Sequence, residues 1–93
     1  MITIVAKNII KQGMTKKFKA AVKPLIEASQ KEGGCISYNL YEDVSDPSVL
    51  TFIEQWEDQE AIDRHNNSAH FTQIVPTLSA FRTESEVRLY KII

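Results

Sequence analysis

The stretch Cys35–Trp56, CISYNLYEDVSDPSVLTFIEQW, reads as two strands folded about a turn, and it decides the topology. From Cys35 to Asp43, Ile36, Tyr38 and Leu40 alternate with Cys35, Ser37, Asn39 and Tyr41, which is the period of an extended strand. Ser45-Asp46-Pro47-Ser48 supplies turn chemistry: short side chains that bond their own backbone, and a proline that presets φ. Val49 to Trp56 alternates again, with Leu50 and Phe52 on one side and Val49 and Ile53 on the other. The middle of the chain is therefore expected to be an antiparallel hairpin.

On its N-terminal side, Ile2 to Lys11 is rich in β-branched residues and reads as a strand, with Ile2, Ile4, Ala6, Asn8 and Ile10 sharing a face. Gln12-Gly13 turns the chain, and Thr15 is the expected N-cap of a helix lasting to about Lys31. Met14, Phe18, Ala21, Val22, Leu25 and Ser29 form its stripe. Pro24 deletes one backbone hydrogen bond inside that helix, about 3 kcal/mol if uncompensated, and predicts a kink. Gly33-Gly34 ends it. Beyond the hairpin, Asp58 to Asn67 reads as a short helix. Ser68 caps another, with Phe71, Ile74, Val75 and Leu78 as its stripe and Pro76 as an interruption. Thr83 to Ile92 closes as a fourth strand.

The order β-α-β-β-α-β is the ferredoxin-like split motif of the α+β class, expected as one domain over residues 1–93. Its helices cover one face of a four-stranded antiparallel sheet. Yet Val5, Ile9, Val49 and Ile53 make the second face apolar as well. Monomers rarely expose such a face over several hundred Å². The pattern predicts a homodimer packed through its sheet faces, the two sheets forming one barrel.

A chain of 93 residues, 43% hydrophobic and 25% charged, allows one core and argues against disorder. A net charge of −1 provides no global field to recruit nucleic acid or an anionic membrane. Charge is uneven, with seven lysines against Glu27 alone up to Lys31, then nine acids without Lys or Arg from Glu32 to Asp63. This is the pattern of a solvated basic helix facing acidic neighbours. Cys35 is the only cysteine, which excludes an intrachain disulfide and a thiolate metal cluster. The opening residues lack a signal-peptide layout, and no apolar run approaches the ~18 residues of a membrane span. A reducing cytoplasm is the expected setting.

Both histidines and the only tryptophan fall between Glu54 and Phe71. His65 and His70 would diverge on one continuous helix; Asn66, Asn67 and Ser68 interrupt it and allow them to converge, but no H-E-x-x-H motif or third ligand accompanies them, so no metal site is expected. Glycine-rich phosphate loops and nucleophile elbows are also missing. His65 follows Ile62 by three residues and Ala61 by four, which puts it on the buried stripe of its helix. Its reference pKa near 6.5 makes it the best general base in the chain, against the alternative of a hydrogen-bonded core residue. His70 sits in the first turn after the Ser68 cap. Asn8 is a polar residue on an apolar strand face and must bridge backbone or line a pocket. Trp56 reads as a core or interface anchor whose N–H needs a partner.

The run FIEQWEDQEAIDRHNNSAHF resembles the signature of the antibiotic biosynthesis monooxygenase domain. The resemblance extends to ITIVAKNIIKQG, to KEGGCISYNLYED and to the closing strand, so it spans essentially the whole chain. It implies a dimeric α+β barrel with a pocket between sheet and helices. It also implies a quinol-monooxygenase-like reaction in which an electron-rich phenol loses a proton and passes an electron directly to O₂, without cofactor. His65 is then the expected base or proton shuttle. Asn8 would hydrogen-bond the oxyanion or peroxide, and His70 would orient the substrate oxygen. Phe52, Trp56, Phe71 and Tyr38 would shape the walls. The haem-degrading branch fits poorly, since His65 and Val75 occupy its tryptophan and ligand positions. A related isomerase that processes a quorum-sensing autoinducer, and a non-catalytic ligand-binding dimer, are the alternatives.

Overall fold

The computed structural model describes residues 1–93. Strand β1 (Ile2–Ile10) leads to helix α1 (Thr15–Gln30), then strands β2 (Cys35–Glu42) and β3 (Val49–Trp56). Two short helices follow, α2 (Gln59–Asn66) and α3 (Ala69–Ile74), then a 3₁₀ turn over Val75–Phe81 and strand β4 (Arg82–Lys91). The strands lie in the order β2-β3-β1-β4, all pairs antiparallel. This is the ferredoxin-like α+β arrangement expected from the order of elements.

Register decides what faces the helices. Ile4, Ala6 and Asn8 lie opposite Glu54, Phe52 and Leu50 on β3, and opposite Leu89, Val87 and Ser85 on β4. Directly opposed residues of an antiparallel pair share a face, so all nine point to the helix side. Phe18, Val22, Leu25 and Ser29 of α1 are buried against this side together with Leu50, Phe52 and Trp56, as the helical stripe predicts. The helices stop short of β4. Val87 and Leu89, in register with buried positions, stay 61% and 49% exposed.

Three local expectations need correction. Met14, not Thr15, caps α1 and offers no side-chain bond, while Lys31 closes the helix. Gly13 adopts φ +79 and Met14 N–H reaches Lys11 O at 3.0 Å, so the turn delivers the chain into the helix one residue early. Helix α1 continues across Pro24. Pro24 and Ala20, whose carbonyl loses its donor, are both exposed, so that carbonyl is open to solvent. Ile36 does not share a face with Tyr38 and Leu40. A bulge between Cys35 and Ser37 places Cys35 beside Trp56, and Ile36, the extra residue, turns outward at 51% exposure. At Pro76 the α-helix has given way, as expected, to the 3₁₀ turn that starts at Val75 and buries Leu78, whereas β4 begins at Arg82 rather than Thr83 and ends at Lys91 rather than Ile92.

Gly34 holds α1 and α2 together. At φ +86 it passes so close to α2 that a Cβ there would lie 2.5 Å from the Cβ of Ala61. Only glycine fits both the left-handed backbone and the close approach.

Candidate active site

Between the sheet and α2, α3 and the 3₁₀ turn lies a cavity of about 320 Å³, within the range that holds a small organic ligand. Its lining is mostly apolar. Asn8, Tyr38, Glu54, His65 and Arg82 are among its polar groups, with Lys7, Gln59, Asn66 and Ser85 also in the lining, and Phe52 and Phe71 are aromatic walls. Two of the sequence candidates lie outside the lining. Trp56 is fully enclosed behind His65, and His70, at 21% side-chain exposure, turns away toward Glu32.

His65 is placed by the local fold. Asp58 caps α2 by accepting from Ala61 N–H, and Ala61, Ile62 and His65 become its buried face. Ser68 Oγ donates to His65 O at 2.6 Å and accepts from Phe71 N–H, joining α2 to α3. The ring is boxed by Trp56, Phe71 and Tyr38, with centroids 4.5, 5.1 and 5.4 Å away.

Its Nδ1 lies 2.5 Å from Oε2 of Glu32, and His70 Nε2 reaches the same oxygen at 3.1 Å. Burial holds His65 below the usual histidine range, and His70 pushes the same way. The Glu32 hydrogen bond and charge oppose this only in part. The neutral ring beside a carboxylate carries its proton on Nδ1, so Nε2 keeps its lone pair. No protein group bonds Nε2, and the only sealed side-chain polar atom without a partner is Ser29 Oγ. Nε2 is therefore open to the cavity.

Glu32, His65 and His70 place their ligand atoms within 4.8 Å of one another, so Glu32 is the third group that sequence reading lacked for a metal. The 2.5 Å separation is a hydrogen bond. Two ligands on one ion, each bonded at roughly 2.0–2.2 Å, sit about 3 Å apart or more.

Asn8 bridges strands and still faces the cavity. Its Nδ2 donates to Leu50 O at 3.1 Å and Ala6 O at 3.2 Å, and its Oδ1 accepts from Arg82 Nη1 at 2.9 Å. Arg82 forms no ion pair with any acid. Glu54 is buried, and its Oε1 accepts from Trp56 Nε1 at 3.0 Å. Burial raises its carboxyl to about 7 against the opposing indole bond, with Glu32 adding to the rise. Tyr38, opposite Glu54 on β2, is raised by burial and then by the Glu54 charge.

Sequence reasoning missed Glu32, Glu54 and Arg82. Glu54 was detectable, since it lies on the inward alternation of Leu50, Phe52 and Trp56. Glu32 meets His65 across 33 residues and leaves no local pattern.

The family model for antibiotic biosynthesis monooxygenase matches residues 1–77. A crystal structure of a conserved protein from Methanosarcina mazei superposes with TM-score 0.94 at 40% identity, covering 97% of this chain and 90% of that one. A crystal structure of an antibiotic biosynthesis monooxygenase superposes with TM-score 0.91 at 32% identity, covering 100% and 99%. Protein sll1783 of Synechocystis is 37% identical across 96% of this chain, which spans 62% of that longer protein. The chain belongs to the antibiotic biosynthesis monooxygenase family. No helix is long and apolar enough to cross a membrane.

Proposed function

We propose that the protein is a cofactor-independent monooxygenase that oxidises a small quinol-like aromatic with O₂, working as a homodimer. The observation that carries this reading is that His65 and Asn8 face one apolar cavity. His65 Nε2 takes the phenol proton, and Glu32 on Nδ1 holds the ring in the required tautomer. The phenolate reduces O₂ directly. Arg82, held in place by Asn8 Oδ1, stabilises the negative charge that moves onto oxygen, while both N–H donors of Asn8 stay on the Ala6 and Leu50 carbonyls. Phe52, Phe71 and Tyr38 orient the ring and exclude water, while His70 supports Glu32. The outward sheet face carrying Val5, Ile9 and Ile53, and the uncovered edge at β4, are the surfaces a second copy covers.

The test is oxygen uptake by the purified protein with a panel of quinols and phenols. His65→Ala is expected to lose about 10²–10⁴-fold in turnover with the fold retained. Equal turnover in that variant removes His65 from the chemistry. Product formation that continues under strict anaerobiosis identifies an isomerase instead.

A further inference from the structure

Glu54 is an anomaly that base chemistry at His65 leaves unexplained. A carboxyl 5% exposed, on the inward face of a central strand, forms no ion pair with any Lys, Arg or His. A buried charge in that setting is strongly unfavourable, so such groups are paired or neutral. One oxygen is fixed by the Trp56 indole, and no protein group bonds the other. That second oxygen is not among the sealed orphan atoms either, and Glu54 lines the cavity. It opens toward the space where a ligand would lie.

We infer that Glu54 is a second catalytic residue of this cavity, a neutral carboxylic acid that gives its proton to the peroxide formed from substrate and then takes one back from the substrate carbon. The inference rests on the oxygenase reading above and deepens it.

The titratable groups around Glu54 are consistent with a neutral acid. Tyr38 and Cys35 face it from β2, Glu32 from the turn after α1 and His65 from α2, while β1 and β4 present Ile4 and Leu89. Glu32 is an acid, Tyr38 and Cys35 are raised by burial, and His65 is held neutral. Arg82, the cavity's arginine, is bonded to Asn8. The carboxyl is raised in the direction this geometry requires. Two groups of opposite resting role in one cavity, a neutral base and a neutral acid, are the arrangement that acid–base catalysis near neutral pH needs.

The cycle balances. His65 Nε2 takes the phenol proton. The phenolate and O₂ form a bond at a hydrogen-bearing ring carbon, giving a dienone peroxide anion. Glu54 protonates the terminal oxygen and becomes a carboxylate. That carboxylate removes the hydrogen of the oxygenated carbon as a proton, the freed electron pair forms the new C=O, and the O–O bond breaks. The departing hydroxide takes the proton from His65. A phenol and O₂ have become a quinone and water, the ring has lost two electrons beyond those in its new C–O bond, and both residues regain their starting state. The substrate class is accordingly a phenol or quinol with a free ring C–H ortho or para to the ionised oxygen.

The experiment combines a direct reading of the carboxyl with turnover. Carboxyl ¹³C NMR of Glu54, assigned by its loss in Glu54→Gln, is expected to show an acid that titrates near 7. Glu54→Gln is expected to bind phenol with unchanged Kd, to form phenolate, and to lose about 10²–10⁴-fold in kcat. Glu54→Asp, which keeps a withdrawn carboxyl, recovers part of it and serves alone should Glu54→Gln lose the fold. A Glu54 signal already ionised at about pH 5 overturns the assignment whatever the reaction. An active parent matched in kcat by Glu54→Gln overturns it while sparing the role of His65. A parent inert toward every phenol in air sinks the oxygenase reading itself, and the role of Glu54 with it.

Discussion

Nδ1 of His65 lies 2.5 Å from Oε2 of Glu32, although 33 residues separate them in the chain. The contact satisfies the buried nitrogen and decides which nitrogen of the ring stays basic. Glu32→Ala leaves Nδ1–H without a partner in a nearly sealed site. It should cost about 1–3 kcal/mol, read as a lower urea midpoint at unchanged m-value. Glu32→Gln keeps an acceptor but removes the charge that raises His65. Its His65 should titrate at lower pH than in the parent, followed by ¹⁵N NMR of the ring. An unchanged His65 titration would deny Glu32 its electrostatic role.

Glu54 predicts a pH dependence of stability with a definite sign. Its folded pKa, about 7, exceeds the reference 4.5. Between those values the native state holds more protons than the unfolded chain, so stability falls as pH rises. The contribution is fully present below 4.5 and is lost as pH climbs through 7. The gap between these two values corresponds to about 3 kcal/mol. Glu54→Gln carries no such loss, so its stability relative to the parent should grow by that order from pH 4 to 8, measured by urea unfolding at each pH.

His65 acts in the opposite sense. Its folded pKa is depressed, so the unfolded chain binds the extra proton and stability falls on acidification below about 6.5. His65→Asn should flatten the acid limb of the stability–pH curve, while Glu54→Gln flattens the alkaline limb. Chemical unfolding of the two variants, side by side, separates the groups.

Gly34→Ala forces a side chain into a left-handed backbone and against Ala61. A loss above about 1 kcal/mol is expected, which lowers Tm by roughly 4–8 °C in a domain of this size. Gly33→Ala, where a Cβ meets nothing within 4 Å, is the control and should melt close to the parent.

The outward sheet face gives a fifth test. Ile53 lies half-buried on that face, between Val5 on β1 and Asn39 on β2. Ile53→Glu should keep the parent's circular dichroism but convert a dimer mass to a monomer mass in light scattering. A parent that is monomeric at micromolar concentration refutes the dimer outright.

Periodicity carried the fold because it is local. The stripe from Phe18 to Ser29 and the alternation through Leu50, Phe52 and Trp56 each report one buried face, and four such faces in order leave one economical topology. It failed where a single residue broke the period. The bulge at Ile36 reverses the alternation of β2, and nothing in CISYN announces it. The site was legible in part. Asn8 and His65 stood out as polar residues on apolar faces. Glu54 carried the same mark but was read as one of a run of acids. Glu32 and Arg82 meet their partners only through tertiary folding, the latter across 74 residues.

The incomplete cover over β4 divides the cavity by task. The proton-transferring pair, Glu54 and His65, stands on β3 and α2, braced by the interlocked backbone at Gly34 and Ala61. Val87 and Leu89 close the opposite side from an edge strand that bears little of the core. Substitutions at Val87 and Leu89 alter which molecule enters while leaving the proton chemistry where it is. A lineage of such proteins is free to change its diet without rebuilding its teeth.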